Sequence, residues 1–168
     1  MPTPVGHVLG ALILTSPLRL RYRMAGAGVA AVIAVAGAAP DLDLLIGRHS
    51  AETHSVGAGV IAGLAAWAWL RMRKATRAAP LAAAVALAVL SHVLFDWLGS
   101  DTSAPIGVMA LWPLSSGYYE SGLHIFMAVS RRYWLEAFWT YNLMVLGREL
   151  LLLGIPAAIV ERRLRRQR

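Results

Sequence analysis

Apolar residues in this chain run in long blocks separated by short polar breaks, with almost no strict alternation. The blocks cover roughly residues 5–18, 24–39, 55–72, 78–98 and 134–160. Blocks of this length predict helices, and a run of roughly 20 apolar residues is what a helix needs to cross a bilayer core. The first block, which contains His7 and ends at Pro17, is too short to cross comfortably and predicts a tilted or half-inserted helix. The second is almost entirely Ala, Gly, Val and Ile, a composition that lets membrane helices approach closely. Counted from about Tyr22 it runs about 18 residues, or ~27 Å. Pro40 is expected to end it, because the residue before a proline is disfavoured in the helical region. In the third block Thr53 or Ser55 is a candidate N-cap, and Gly59 and Gly63 make a small-xxx-small packing face. Pro80 fits the first turn of the fourth helix, and Pro156 predicts a kink in the last.

Composition turns these helices into membrane helices. The 168 residues are one domain's worth of chain, 58% hydrophobic and only 8% aromatic, with a mean hydropathy of +0.58. A soluble domain of that size cannot bury so much apolar surface, whereas a bilayer accepts it. The expectation is an all-α integral membrane helical bundle, a single domain over 1–168, with about four transmembrane helices and a short N-terminal helix. No cysteine is present, which excludes disulfides and thiolate ligands. The first apolar block lacks a preceding basic region, so a cleaved signal peptide is not expected.

The net charge of +7 is carried by arginine, Lys74 being the only lysine. Basic proteins often bind nucleic acid, but here the arginines border apolar blocks and act as topology signals, so no nucleic-acid partner is expected. The clusters at 19–23, 71–77 and 162–168 hold 12 of the 16 basic residues. With four crossings all three fall on one side, which the positive-inside rule assigns to the cytoplasm together with the C-terminus. Arg48, Arg131 and Arg132 fall on the other side, and Arg148 lies inside the last span.

The same assignment gathers His7, Asp41, Asp43, His49, His54, His92 and Asp96 at the non-cytoplasmic end. Asp and His together suit Zn²⁺, Mn²⁺ or Fe²⁺. Asp41-Leu42-Asp43 follows a helix end, and His92 and Asp96 share one helical face. With His7 and His54 they form six candidate metal ligands from four segments, enough for one or two ions. Such a centre binds phosphate and activates water, with Asp41, Asp43 and Asp96 as the candidate catalytic carboxylates. Taken singly, each residue has a plainer reading: Asp41 as a cap, His92–Asp96 as a helix-stabilising pair, His49 as a solvated loop histidine. Their convergence on one side is what favours a metal site. Glu52, Asp101, Glu120 and His124 lie on the site side, where they could supply a general base or substrate contact, but most read as ordinary loop residues, and Trp112-Pro113 reads as a loop anchor. The mid-span Arg148-Glu149 pair is read as a buried ion pair or a phosphate contact.

Ala39-Pro40-Asp41-Leu42-Asp43, His49, Thr53-His54-Ser55, Ser91-His92 with Asp96, and Leu111-Trp112-Pro113-Leu114 resemble the YdjM-like family of membrane-bound metal-dependent hydrolases, some of them LexA-regulated. The likeness covers roughly residues 5–116, in the family's order. It departs at Ser50, where the family often has Arg after the His. A fainter likeness extends to zinc phospholipase C and P1 nuclease. It implies one or two zinc ions and not three, since a second helical His-x-x-x-Asp/Glu is missing. The resemblance implies a bacterial inner-membrane, metal-dependent hydrolase, a reaction class without a substrate; a site of this kind at the membrane face makes a phosphoester of a membrane lipid or lipid-linked substrate, cleaved by metal-activated water, the expected target. The alternative is a membrane metal-binding or transport protein with the same ligands and no hydrolysis.

Overall fold

The computed structural model describes residues 1–47 and 49–167. Arg48 and Arg168, counted above among the basic residues, lie outside the described residues. The regular elements of the described chain are all helical, and the long irregular connection after residue 98 carries two isolated β-bridges. Helix α1 is Pro4–Leu14, α2 Ser16–Arg21, α3 Ala27–Ala38, α4 Val56–Met72, α5 Ala78–Leu98, α6 Phe138–Glu149 and α7 Ile155–Arg165.

Two joints between helices are associated with prolines. α3 ends at Ala38, just ahead of Pro40 as expected from sequence, and the chain goes on as a 3₁₀-helix over Ala39–Ile46. Pro40 sits in the first turn of that tighter helix, where its missing N–H has no intrahelical partner to lose. At the other end of the chain, α6 passes into α7 through a π-helical turn, Leu150–Gly154, just ahead of Pro156. Widening the turn before a proline relieves the clash of its ring with the preceding carbonyls.

α4 lies along α5, and α1 packs on both α3 and α5. The predicted small-residue face is used: a Cβ at Gly59 would lie 2.7 Å from Leu90 and one at Gly63 2.8 Å from Ala86. Ala11, Ile33, Ala84, Ala88 and Val89 fill the space between α1, α3 and α5. Outward positions remain apolar, with Val35, Leu45, Leu64, Leu143 and Leu151 all exposed. A belt of that kind is covered by lipid, not by water.

Three helical stretches are long and apolar enough to cross a membrane: Ala27–Leu45, Ala78–Leu98 and Phe138–Arg165. The expected fourth, Val56–Met72, has 17 residues, and Pro4–Leu14 is shorter still. Yet α1 and α2 together run the height of the bundle. His7 lies against His92 and Asp96 at one end, and Arg19 ion-pairs with Glu161 at 2.5 Å at the other. Arg77 donates to the Arg23 carbonyl at that second end, which therefore gathers the basic clusters.

A candidate metal centre at one end of the bundle

Each candidate ligand is delivered by a helix end. Thr3 caps α1 by accepting from Gly6 N–H, which places His7 in the second turn. The buried Glu149 reaches the same N-terminus: its carboxylate accepts from the Thr3 N–H at 2.7 Å and from the Thr3 hydroxyl. A negative charge there complements the helix dipole. Arg148, in contrast, is exposed, and the two residues do not pair with each other. Glu149 thus serves the helix that carries His7.

Ser55, not Thr53, caps α4, accepting from Ala58 N–H at 3.0 Å. The Ala110 and Trp112 carbonyls accept from the Val56 and Gly57 N–H groups, so the Leu-Trp-Pro-Leu stretch secures the start of α4. His54, immediately before this cap, is held fully buried. His92 and Asp96 come from the last turns of α5, and the 3₁₀-helix carries Asp41, which faces His92, and Asp43.

Three imidazoles converge on one carboxylate. Asp96 Oδ1 lies 3.3 Å from His7 Nε2, and Asp96 Oδ2 lies 3.1 Å from His92 Nε2 and 3.4 Å from His54 Nε2. Asp41 Oδ1 faces the same point, 3.6 Å from His92 Nε2 and 3.7 Å from His54 Nε2. The His7 and His92 rings stack with centroids 3.6 Å apart. All of these groups except Asp41 are buried.

The outer contacts fix which nitrogen faces inward. His92 Nδ1 lies 2.8 Å from the Gly37 carbonyl, which can only accept, so Nδ1 carries the proton and Nε2 offers its lone pair. His54 Nδ1 sits 3.1 Å from Asp43 Oδ2, which also accepts from the Thr53 hydroxyl at 2.6 Å. Asp43 Oδ1 meets His49 Nδ1 at 3.1 Å. Asp43, expected as a ligand, therefore stands behind two imidazoles and orients them, in the manner of carboxylates that back metal-binding histidines. His49, read from sequence as a solvated loop residue, is drawn into the cluster. With Asp41 and His54 it forms one of three groups among the described residues that could hold a metal ion, the others being His7–Asp41–His92 and His54–His92–Asp96.

The decisive feature is what these atoms lack. Nε2 of His7, His54 and His92 and both Asp96 oxygens are buried with one another as neighbours, and among the described residues none of them has a partner in hydrogen-bond geometry. Buried polar atoms are ordinarily satisfied, and leaving several unpaired costs about 1–3 kcal/mol each. Lone pairs converging from imidazoles and carboxylates are satisfied together by a cation, so the donor set could hold a divalent metal ion. Burial disfavours a protonated His54, but the adjacent Asp41, Asp43 and Asp96 carboxylates outweigh it and push its pKa up to about 9. That is the behaviour of a site with excess negative charge.

The remaining polar residues of this end build the loop. Asp101 accepts from Ser103 N–H and Gly107 N–H, Glu120 accepts from Asp101 N–H, and His124 lies 3.6 Å from Glu120 at the exposed rim. Two features escaped the sequence: the recruitment of His49 and the docking of Glu149 on Thr3. Only the oddity of a carboxylate inside an apolar block hinted at the second.

No curated protein and no solved structure matches the chain. The model of one family, YdjM inner membrane protein, matches residues 1–161. Spanning nearly the whole chain and every candidate ligand, that match makes this chain a member of the YdjM inner membrane protein family.

Proposed function

We propose that this protein is a metal-dependent membrane hydrolase that cleaves a phosphoester of a lipid or lipid-linked substrate. The observation that carries the reading is the set of unpaired, converging Nε2 and Asp96 oxygen atoms. His7, Asp41, His54, His92 and Asp96 would hold the ion or ions, zinc being the best match to the donors, and Asp43 would orient His54 and His49. A divalent cation there supplies the positive charge that activates water and withdraws electrons from a phosphoryl oxygen. Asp41 is the only one of the five ligands that is not buried, and it lines a cavity of about 80 Å³ leading outward. It is therefore the carboxylate placed to meet substrate and to take up a proton from water. Asp96, enclosed by three imidazoles, supplies charge.

The positive-inside rule puts the basic end in the cytoplasm and the site at the non-cytoplasmic face. In that arrangement α3, α4, α5 and the α6–α7 helix cross the bilayer, and α1–α2 descends from the site face beside them. A transport function finds less support, because the Ala11, Ile33, Ala84 and Ala88 core closes the space between the site and the basic end.

The test is incubation of purified, zinc-loaded protein with phospholipid vesicles and with polyprenyl phosphates, with and without chelator. Chelator-sensitive release of a water-soluble phosphate product supports hydrolysis. No release from either lipid class, from protein that holds its metal, would overturn it.

A further inference from the structure

Three hollows meet at one arginine. Arg131 lines the small cavity that Asp41 and His49 also line. It lines a polar hollow of about 360 Å³ with His49, Ser50, Ser103 and Tyr118. It also lines a cleft of about 360 Å³ whose wall includes Val129, Leu135 and Phe138 at the start of α6. Its charge lies close enough to His49 and to the Met1 ammonium to add to the burial that lowers the pKa of both. Arg131 makes no ion pair among the described residues. The nearby Asp101 spends both oxygens on backbone N–H groups of its own loop.

This arginine is not on a loose strand. Asn142 of α6 holds both the N–H and the carbonyl of Ser130, at 2.9 and 3.0 Å. The Tyr141 hydroxyl donates to the Ala128 carbonyl at 2.9 Å. A free guanidinium on a pinned segment, with carboxylates and imidazoles on one side, is suited to gripping a phosphate by paired N–H donors. The cleft on its other side has an apolar wall of Val129, Leu135 and Phe138 beside polar lining from Thr102, Ser130 and Arg132, and the exposed Tyr133, Trp134 and Trp139 surround that end of α6. Such aromatic residues mark the level of the membrane interface.

We infer that Arg131 is the specificity-determining residue that binds the substrate's phosphate, and that the phosphate belongs to a membrane amphiphile whose chain lies in the cleft beside Leu135 and Phe138. This deepens the proposed function and rests on it for the identity of the reacting group. The headgroup reaches Asp41 from the Arg131 side, and the chain stays at bilayer level. The polar hollow takes whatever the phosphate carries on its far side.

The test reads binding and needs no turnover. Zinc-loaded protein in detergent is titrated calorimetrically with dodecylphosphonate, whose C–P bond does not hydrolyse, with methylphosphonate as the headgroup alone, and with dodecanol as the chain alone. Wild type is expected to bind dodecylphosphonate at least about tenfold more tightly than either half. Arg131→Gln is expected to lose about tenfold or more of that affinity, and Leu135→Trp to erase only the advantage conferred by the chain. Arg166→Gln, at the opposite end, should bind as wild type does. Because Arg131 is exposed and unpaired, its replacement does not endanger folding, which an unchanged melt of Arg131→Gln verifies. Wild-type affinity in Arg131→Gln overturns the assignment. Equal affinity for methylphosphonate and dodecylphosphonate makes the ligand free phosphate and overturns the amphiphile. Arg131-dependent binding without any lipid turnover would instead refute the hydrolase reading alone.

Discussion

Gly37→Ala is the smallest change that should disturb the candidate centre without touching a ligand. Gly37 lies where α3 meets α1. A Cβ there would sit 2.6 Å from Ala11 Cβ and 3.2 Å from the His7 carbonyl. Carbon atoms in contact rest about 3.5–4.0 Å apart, so α1 and α3 must part by about 1 Å. Overpacking of this kind costs about 1–3 kcal/mol. The same displacement moves His7 on α1 and the Gly37 carbonyl that holds His92 Nδ1 at 2.8 Å. Disturbing a partner that orients a ligand typically weakens metal binding by about 10–100-fold. Gly28→Ala is the internal control, since its added methyl on the same helix meets nothing within 4 Å. It should be neutral or stabilising by up to ~1 kcal/mol, because glycine is the poorer helix former. Zinc affinity, measured in detergent against a chromophoric chelator, and thermal melting should separate the two variants. If Gly37→Ala melts and binds zinc as Gly28→Ala does, the close α1–α3 approach does not set the site.

Other perturbations have equally definite signs. The raised pKa of His54 gives the metal-free protein stability that is fully present below its ordinary value of 6.5 and is lost as pH rises through about 9. Zinc must displace that proton, so across the same window melting of the metal-free protein should fall while zinc affinity rises by up to about tenfold per pH unit. A zinc affinity that is flat from pH 7 to 8.5, after correction for the competing chelator, would contradict this. Asp43→Asn weakens the hold on His54 and His49 and should lower zinc affinity by about 10–100-fold, as read by the same competition, with a far smaller change in melting. Glu149→Ala strips the start of α1 of two hydrogen bonds, one from the Thr3 N–H and one from its hydroxyl. It should cost about 2–3 kcal/mol in denaturant unfolding and loosen zinc through His7.

Much of this arrangement was legible in the sequence, because the signals were local and strong. The α5 boundaries follow from an apolar block closed by basic residues on one side and Gly99 on the other. Gly59 and Gly63 announced their packing face by their spacing. His92 and Asp96 share a face by helical geometry alone, whatever they contact. What escaped the sequence depended on distant partners. Whether Asp43 meets a metal or a histidine is decided by where His49, Thr53 and His54 arrive, six to eleven residues later and across a turn. Pro40 marks the end of the α-helix as expected, but nothing local announced the 3₁₀-helix that follows and carries Asp41. The isolated Glu149 found its reason only once α1 was seen to end against it. The number of crossings is similarly hard to read, since α4 and the broken α1–α2 pair run the height of the bundle in helices shorter than a usual span.

The central claim is that the buried imidazole and carboxylate atoms at the end of the bundle are metal ligands. Its most direct test is the metal content of protein purified without added chelator, with X-ray absorption to count the nitrogen and oxygen neighbours of any ion found. The account predicts one or two zinc-type ions per chain, bound through several imidazoles, and their loss in His92→Ala and Asp96→Asn. Wild-type protein that is folded yet holds no transition metal, even after zinc is supplied, would contradict it.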